Sequence, residues 1–225
     1  WRAAILHEVD LIEDLAIAYG YENFIPVIPD ISTIGSENPK EKIKKTIAQI
    51  LSGLGLLEVS SYHLTNKKNQ MENMNYSEKT DILQVEASKT EFSILRKDLT
   101  HSLLKILSEN IDAEYPQKIF EIGKVFLAPQ EKAVEKEMLA CAFSPGNFTG
   151  IKQTIEYLFR MLGLEVSFAE PKTNPQWFIE GRTAELSMKG KSLGFVGEIH
   201  PKILKNWKIK MPVSLFEIEI DDVLR

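Results

Sequence analysis

The chain has 225 residues, 44% of them apolar and 26% charged, the composition of a soluble globular protein of one or two domains with enough apolar side chains for its own core. With 27 Lys and Arg against 32 Asp and Glu the net charge is −5, which excludes a surface given over wholly to nucleic-acid phosphates but leaves room for a local basic patch. No run of 18 apolar residues occurs, which excludes a helical membrane span, and the single cysteine, Cys141, excludes an internal disulfide or a cysteine-based zinc site and suits a reducing, cytoplasmic setting.

The chain opens Trp1-Arg2-Ala3-Ala4, with neither an initiator Met nor a signal peptide, and is expected to be a piece of a longer protein. Residues Glu8 to Gly20 predict a helix, with apolar rows Leu11, Leu15, Ala18 and Ile12, Ala16, Tyr19 and a glycine stop. Tyr21 to Ser36, holding Pro26, Pro29 and Gly35, reads as a connector, with a domain boundary expected near residues 30–38. Pro39 suits the first turn of a second helix running to Gly53, in which Ile43, Ile47, Ile50, Leu51 and Leu54 form the apolar stripe. Lys40, Lys42, Lys44 and Lys45 occupy its other faces, as a solvated surface or as a nucleic-acid contact.

Strands are expected at Glu58 to Tyr62 and Ile82 to Glu86, separated by a polar stretch forming a short helix and a loop. Leu99 to Ile111 predicts a helix with Leu99, Leu103, Ile106, Leu107 and Ile111 inward. Lys118 to Phe126 alternates, with Phe120, Ile122 and Phe126 on one face and Glu121 and Gly123 on the other. Met138 to Phe143 is apolar throughout and reads as a central strand. Thr149 is the expected N-cap of a helix carrying Ile151, Ile155, Leu158 and Leu162, closed by Gly163. A hairpin turns at Gly190, His200-Pro201 opens a short helix to Trp207, and Val213 to Ile220 closes as a strand with Glu217 and Glu219 outward. Hairpins outnumber βαβ units, so the fold class is α+β, an antiparallel sheet flanked by helices.

Asp10, Glu13 and Asp14, at i, i+3 and i+4, place three carboxylates on one helix face, a spacing open to a Mg²⁺ site or to plain helix-dipole stabilisation. Gly53-Leu54-Gly55 follows a helix and reads as its terminus rather than a phosphate loop. The histidines His7, His63, His101 and His200 show no metal-ligand pairing, and His200 reads as a turn or cap residue. Arg96 and Arg182 are open between a cleft and a surface ion pair.

Four stretches together resemble the β chain of phenylalanyl-tRNA synthetase: Arg2 to Tyr21, like the end of the family's B5 domain in its archaeal and eukaryotic cytosolic form; Ser93-Ile94-Leu95-Arg96-Lys97-Asp98-Leu99; Lys118-Ile119-Phe120-Glu121-Ile122-Gly123-Lys124-Val125-Phe126; and Gly194 to Pro201 followed by Val213 to Glu219. The resemblance implies residues 1–30 as the end of B5, 31–38 as a linker and 39–225 as a class II aminoacyl-tRNA synthetase-like core that is not itself catalytic. It implies an α chain that carries the phenylalanine and ATP sites, an assembly of two α and two β chains that charges tRNA, and editing modules elsewhere. It places a class II dimer interface around Pro39 to Gly53. It also implies a Mg²⁺ site in which Asp10, Glu13 and Asp14 match three ligands while the first falls on Ala4, a departure that removes a carboxylate.

The residues themselves speak against catalysis. No glycine lies beyond Gly197, the only arginine of the closing segment is Arg225, and Phe120-Glu121-Ile122 stands where an arginine would meet a phosphate. The competing readings are an assembly subunit, a self-sufficient nucleotide-dependent ligase, and an RNA- or tRNA-binding module using Lys40 to Lys45 and Lys67-Lys68. The missing glycine and arginine weigh against the second, and the net charge against the third.

Overall fold

A computed structural model describes residues 5–77, 81–86, 88–129 and 132–223. The chain forms two compact units, residues 1–36 and 37–225. The first holds helix α1 (Glu8–Tyr19), a 3-10 turn (Tyr21–Asn23) and an irregular stretch to Ser36. His7 Nδ1 accepts from Val9 N while Asp10 accepts from the backbone of His7, and Gly20 ends the helix at φ +94°. No residue of α1 is buried, and Ile25, Val27, Ile28, Ile31 and Ile34 stand almost wholly exposed.

The second unit is a sheet with helices on both faces. In chain order it comprises α2 (Pro39–Gly53), β1 (Leu57–Glu58), β2 (Leu64–Thr65), a π-helical turn (Lys68–Glu72), β3 (Ile94–Leu95), α3 (Thr100–Glu109), β4 (Gln117–Leu127), β5 (Val134–Ser144) and α4 (Phe148–Met161). There follow β6 (Ser167–Ala169), β7 (Phe178–Met188), β8 (Lys191–Ile199), α5 (Pro201–Asn206) and β9 (Ser214–Glu219). Seven strands lie in the order β1-β4-β5-β9-β8-β7-β6, and β2 pairs with β3 as a separate ribbon. Every neighbouring pair is antiparallel except β1–β4.

Alternation along the strands divides the core between the two faces. Phe120, Leu139, Cys141, Phe216 and Ile218 meet Ile47 and Leu51 of α2 and Ile151, Ile155 and Leu158 of α4. Ile119, Val125, Ala140, Ala142 and Leu215 meet Leu103, Leu104 and Leu107 of α3 and Ile203 and Leu204 of α5. Burial on both faces explains why Met138 to Phe143 is apolar without alternation. It also overturns one sequence expectation. Glu217 of β9, expected outward, does not face water; it and Glu121 of β4 are buried on the α3 side of the sheet.

Smaller differences have local causes. The ladder expected to Tyr62 stops at Glu58, because beyond it Ser61 N bonds to the Glu121 carboxylate instead of a strand. Residues Ile82 to Glu86 contribute only a single bridge, Gln84 to Ile94, and no strand of their own. Helix α3 ends at Glu109, leaving Ile111 half exposed. Asn147, not Thr149, caps α4, its Oδ1 accepting from Gly150 N at 2.8 Å. The β7–β8 hairpin turns through Lys189 and Gly190 at φ +50° and +79°, the signature of a tight two-residue loop.

Candidate functional site

Arg96 follows β3 and sinks into the interior with 1% of its side chain exposed. Its Nη1 donates to Glu121 Oε1 at 2.6 Å and to Ser61 Oγ at 2.8 Å, and its Nε donates to the Lys124 carbonyl at 2.7 Å. Glu121 is 2% exposed, so the pair is desolvated on both sides and stands only because its remaining polar atoms are bonded. Gly123 makes the room: a Cβ there would lie 2.4 Å from Arg96 Nη2. Arg96 is therefore neither a surface pair nor a phosphate ligand.

Two residues on, Asp98 and Glu217 share the first turn of α3. Glu217 accepts from Leu99 N at 2.7 Å, Thr100 N at 3.0 Å and Thr100 Oγ1 at 2.5 Å. Asp98 Oδ1 accepts from His101 N at 2.9 Å and lies 3.1 Å from His101 Nδ1, while its Oδ2 accepts from Gln70 Nε2 and Tyr76 OH at 2.6 and 2.9 Å. Carboxylates thus satisfy three amides that a helix start leaves open. Burial pushes the Glu217 carboxyl up, the Asp98 charge adds to this, and the Thr100 and Leu99 bonds work against it; the result is about 8. Burial also works to raise Asp98, yet bonds from His101 and Tyr76 hold it below the ordinary carboxylate range. The Tyr76 phenol is driven well up, by burial first and then by the Asp98 charge.

Beside these carboxylates the sheet face holds a cavity of about 220 Å³ lined by Tyr76, Trp177, Phe178 and Phe195, with Asp98, Glu217 and Glu219 as its acids and Lys97 and Lys136 as its bases. Lys136 is bonded to Glu219. No arginine among the described residues lines it.

The sequence-predicted sites are elsewhere. Asp10 Oδ2 accepts from Leu6 N and His7 N at 2.8 and 2.9 Å, which lowers its carboxyl below the ordinary value. Glu13 and Asp14 lie on the same exposed helix, and Ala4 falls outside the described residues. Among the described residues no three His, Cys, Asp or Glu side chains converge to hold a metal. Adding millimolar Mg²⁺ is expected to leave the thermal midpoint unchanged; an upward shift would show that Asp10, Glu13 and Asp14 do bind it.

The α2 lysines are interleaved with acids. Lys44 meets Glu41 and Glu137 at 3.0 Å, Lys45 meets Glu37 at 2.9 Å and Lys40 reaches Asp221 at 4.0 Å. Lys42 alone of the four has no carboxylate partner among the described residues. Arg182 pairs at the surface with Glu198 at 2.6 Å, and His200 caps α5 by accepting from Lys202 N. Glu217 and the Asp98–His101 pair were not singled out from sequence, and Glu121 was read only as standing where an arginine would meet a phosphate. Only the i, i+3 spacing of Asp98 and His101 before an apolar helix could have signalled a cap.

The residues that meet here come from stretches far apart in the chain: residues 93–99, 118–126, 194–201 and 213–219. The profile described as the phenylalanyl tRNA synthetase beta chain CLM domain matches residues 25–220, and so takes in all four. The chain belongs to the phenylalanyl-tRNA synthetase β chain family. Its similarity to the phenylalanine–tRNA ligase beta subunit of Thermococcus sibiricus is 37% identity over 97% of this chain and 40% of that protein. For the Pyrococcus furiosus beta subunit the figures are 37%, 100% and 41%, and for that of Archaeoglobus fulgidus 38%, 98% and 40%. The chain thus spans about two fifths of the length of these β-chain relatives. Among the described residues no helix is long and apolar enough to cross a membrane.

Proposed function

We propose that this chain is a non-catalytic domain of the β subunit of a phenylalanine–tRNA ligase, built on a class II synthetase-like sheet and packed against an α chain that binds phenylalanine and ATP. The assembly has two α and two β chains, acts in the cytoplasm and attaches phenylalanine to tRNA at the expense of ATP. Residues 1–30 are the end of a B5 domain, joined by residues 31–38 to the core.

The observation that carries this reading is the sheet-face cavity. Its deep acids, Asp98 and Glu217, are committed to holding α3, Lys136 is bonded to Glu219, and no arginine fork stands among the described lining residues. A triphosphate placed there would find no cationic fork to take up its charge, and electrostatic stabilisation of phosphates is most of what such a site does. Exposed apolar side chains support a partner: Leu57, Tyr62, Leu64 and Phe92 remain open around β1 and the β2–β3 ribbon.

Titration with the matching α chain, followed by light scattering, is expected to give a stable complex, with aminoacylation seen only when α is present. Phenylalanine-dependent ATP turnover by this chain alone would overturn the proposal. Direct tRNA contact through Lys40, Lys42, Lys44 and Lys45 is the weaker reading, since three of these ammonium groups already face carboxylates. It requires a tRNA affinity that falls steeply with salt and is lost when Lys42 becomes Glu. Magnesium enters this proposal only with donors from beyond the described residues.

A further inference from the structure

Two side chains that line the sheet-face cavity lack the partner their chemistry calls for. The first is Glu217. Its Oε1 accepts from Leu99 N, and its Oε2 accepts from Thr100 N and Thr100 Oγ1. All three partners are donors and no acceptor stands by for a carboxyl proton, so the geometry is that of a carboxylate with one acceptor position on Oε1 still open. Among the described residues no cationic side chain forms an ion pair with it. The second is Trp177, whose indole Nε1 is buried and has no acceptor among the described residues. The neighbouring charges are engaged elsewhere. Asp98 accepts two bonds on each oxygen, from His101 N and Nδ1 and from Gln70 and Tyr76. Lys136 is bonded to Glu219, and Lys97 Nζ donates to the Asp81 carbonyl at 3.4 Å. Burial disfavours the Glu217 charge and the Asp98 charge adds to this, so the empty cavity holds a desolvated anion without a counter-ion.

The walls decide which kind of cation fits. A hard metal ion needs several oxygen ligands, and among the described residues no three acidic, histidine or cysteine side chains converge to supply them. Tyr76, Trp177, Phe178 and Phe195 surround the space instead, with the Tyr76 and Trp177 rings 5.2 Å apart. Aromatic faces attract organic ammonium groups, and one wall already does so: the Lys97 ammonium lies 5.8 Å from the centre of the Tyr76 ring. We propose that this cavity binds a small organic ammonium that also carries an oxygen acceptor. The ammonium donates to Glu217 Oε1 against the aromatic walls, and the oxygen accepts from the Trp177 indole N–H. A volume of about 220 Å³ restricts the ligand to a few heavy atoms, the class of small amino alcohols. This binding goes beyond the assembly role proposed above and does not depend on it.

The test is an NMR titration of the 225-residue chain with ethanolammonium chloride at neutral pH, with sodium chloride holding the ionic strength constant. The Trp177 indole N–H and the Gly194 amide, both of residues that line the cavity, are the reporters. A saturable millimolar shift of both is the expected result. Ethylene glycol keeps the oxygen and the size of the probe but not its charge, and is expected to leave both signals in place. Failure of ethanolammonium to saturate either signal overturns the proposal, and so does equal binding of ethylene glycol. Both outcomes are read on the unaltered chain, so a folding defect in a variant cannot shield the proposal. Glu217→Gln is expected to weaken binding by about tenfold or more, the worth of a hydrogen bond to a charged group. Phe195→Leu leaves every acid in place and is expected to weaken it several-fold by removing one aromatic wall. Unchanged affinity in a folded Glu217→Gln chain would place the ammonium elsewhere and overturn the assignment. Complex formation with the α chain is a separate readout, so a failure here and a failure of the assembly role are told apart.

Discussion

Replacing Arg96 with Leu is expected to cost about 3–5 kcal/mol of folding stability, read as a lower urea midpoint at unchanged slope. The substitution removes a side chain that is 1% exposed and leaves the Glu121 carboxylate, 2% exposed, without its counter-charge. It also opens the space beside Gly123 and frees the Lys124 carbonyl. The cost arises from the stranded acid rather than from the attraction lost, and a second variant separates the two. Arg96→Leu combined with Glu121→Leu takes both charges out of the interior and is expected to recover most of the loss, since a buried pair can be replaced by apolar groups at little net cost. If the single variant lost less than about 1 kcal/mol, the range of an ordinary exposed ion pair, the buried pair would not be a keystone of the fold. If the double variant were as unstable as the single one, the pair would be needed for its geometry.

Gly194→Ala is expected to cost about 3 kcal/mol or more, or to abolish folding. A Cβ at this position would lie 2.1 Å from the Glu217 carbonyl and 2.9 Å from the Ile218 Cα, and φ is +153°. The obstructing atoms are backbone, so no rotamer change relieves them, and β8 and β9 would have to part at the centre of the sheet. Gly163→Ala provides the control. Its φ is +70° but no atom lies within 4 Å of the added carbon, so it carries only the left-handed backbone strain, about 1–2 kcal/mol. A comparable loss at both sites would mean that backbone conformation, not the close approach of β9, is what Gly194 provides. Because Gly194 also lines the cavity beside Glu217, a folded Gly194→Ala chain is expected to show a disturbed Glu217 titration as well.

Legibility followed the range of the interactions. Helix α2 was readable to the residue because Pro39 starts it, Gly53 closes it and the isoleucines between repeat at helical spacing. The β7–β8 hairpin was readable from Gly190, and the cap at His200 from the proline after it. The family was readable from four short stretches whose order and spacing are linear facts. The site those stretches build was not. Glu121 and Glu217 occupy alternate positions of strands whose other positions are apolar, a pattern that predicts a wet outer face. That prediction assumes one covered face, and strand sequence carries no mark of whether a helix lies over the other side.

Composition, periodicity and turn residues by themselves determined the α+β class and most of the long elements, and the resemblance of four short stretches pointed to the family, because each depends on neighbours within a few positions along the chain. The tertiary structure alone decided that α3 and α5 cover the second face of the sheet. It placed Arg96 against an acid 25 residues away and set Glu217 on a helix start 117 residues before it. Those pairings depend on which surfaces meet when the sheet closes, and a charged side chain becomes buried only when its partner arrives with it.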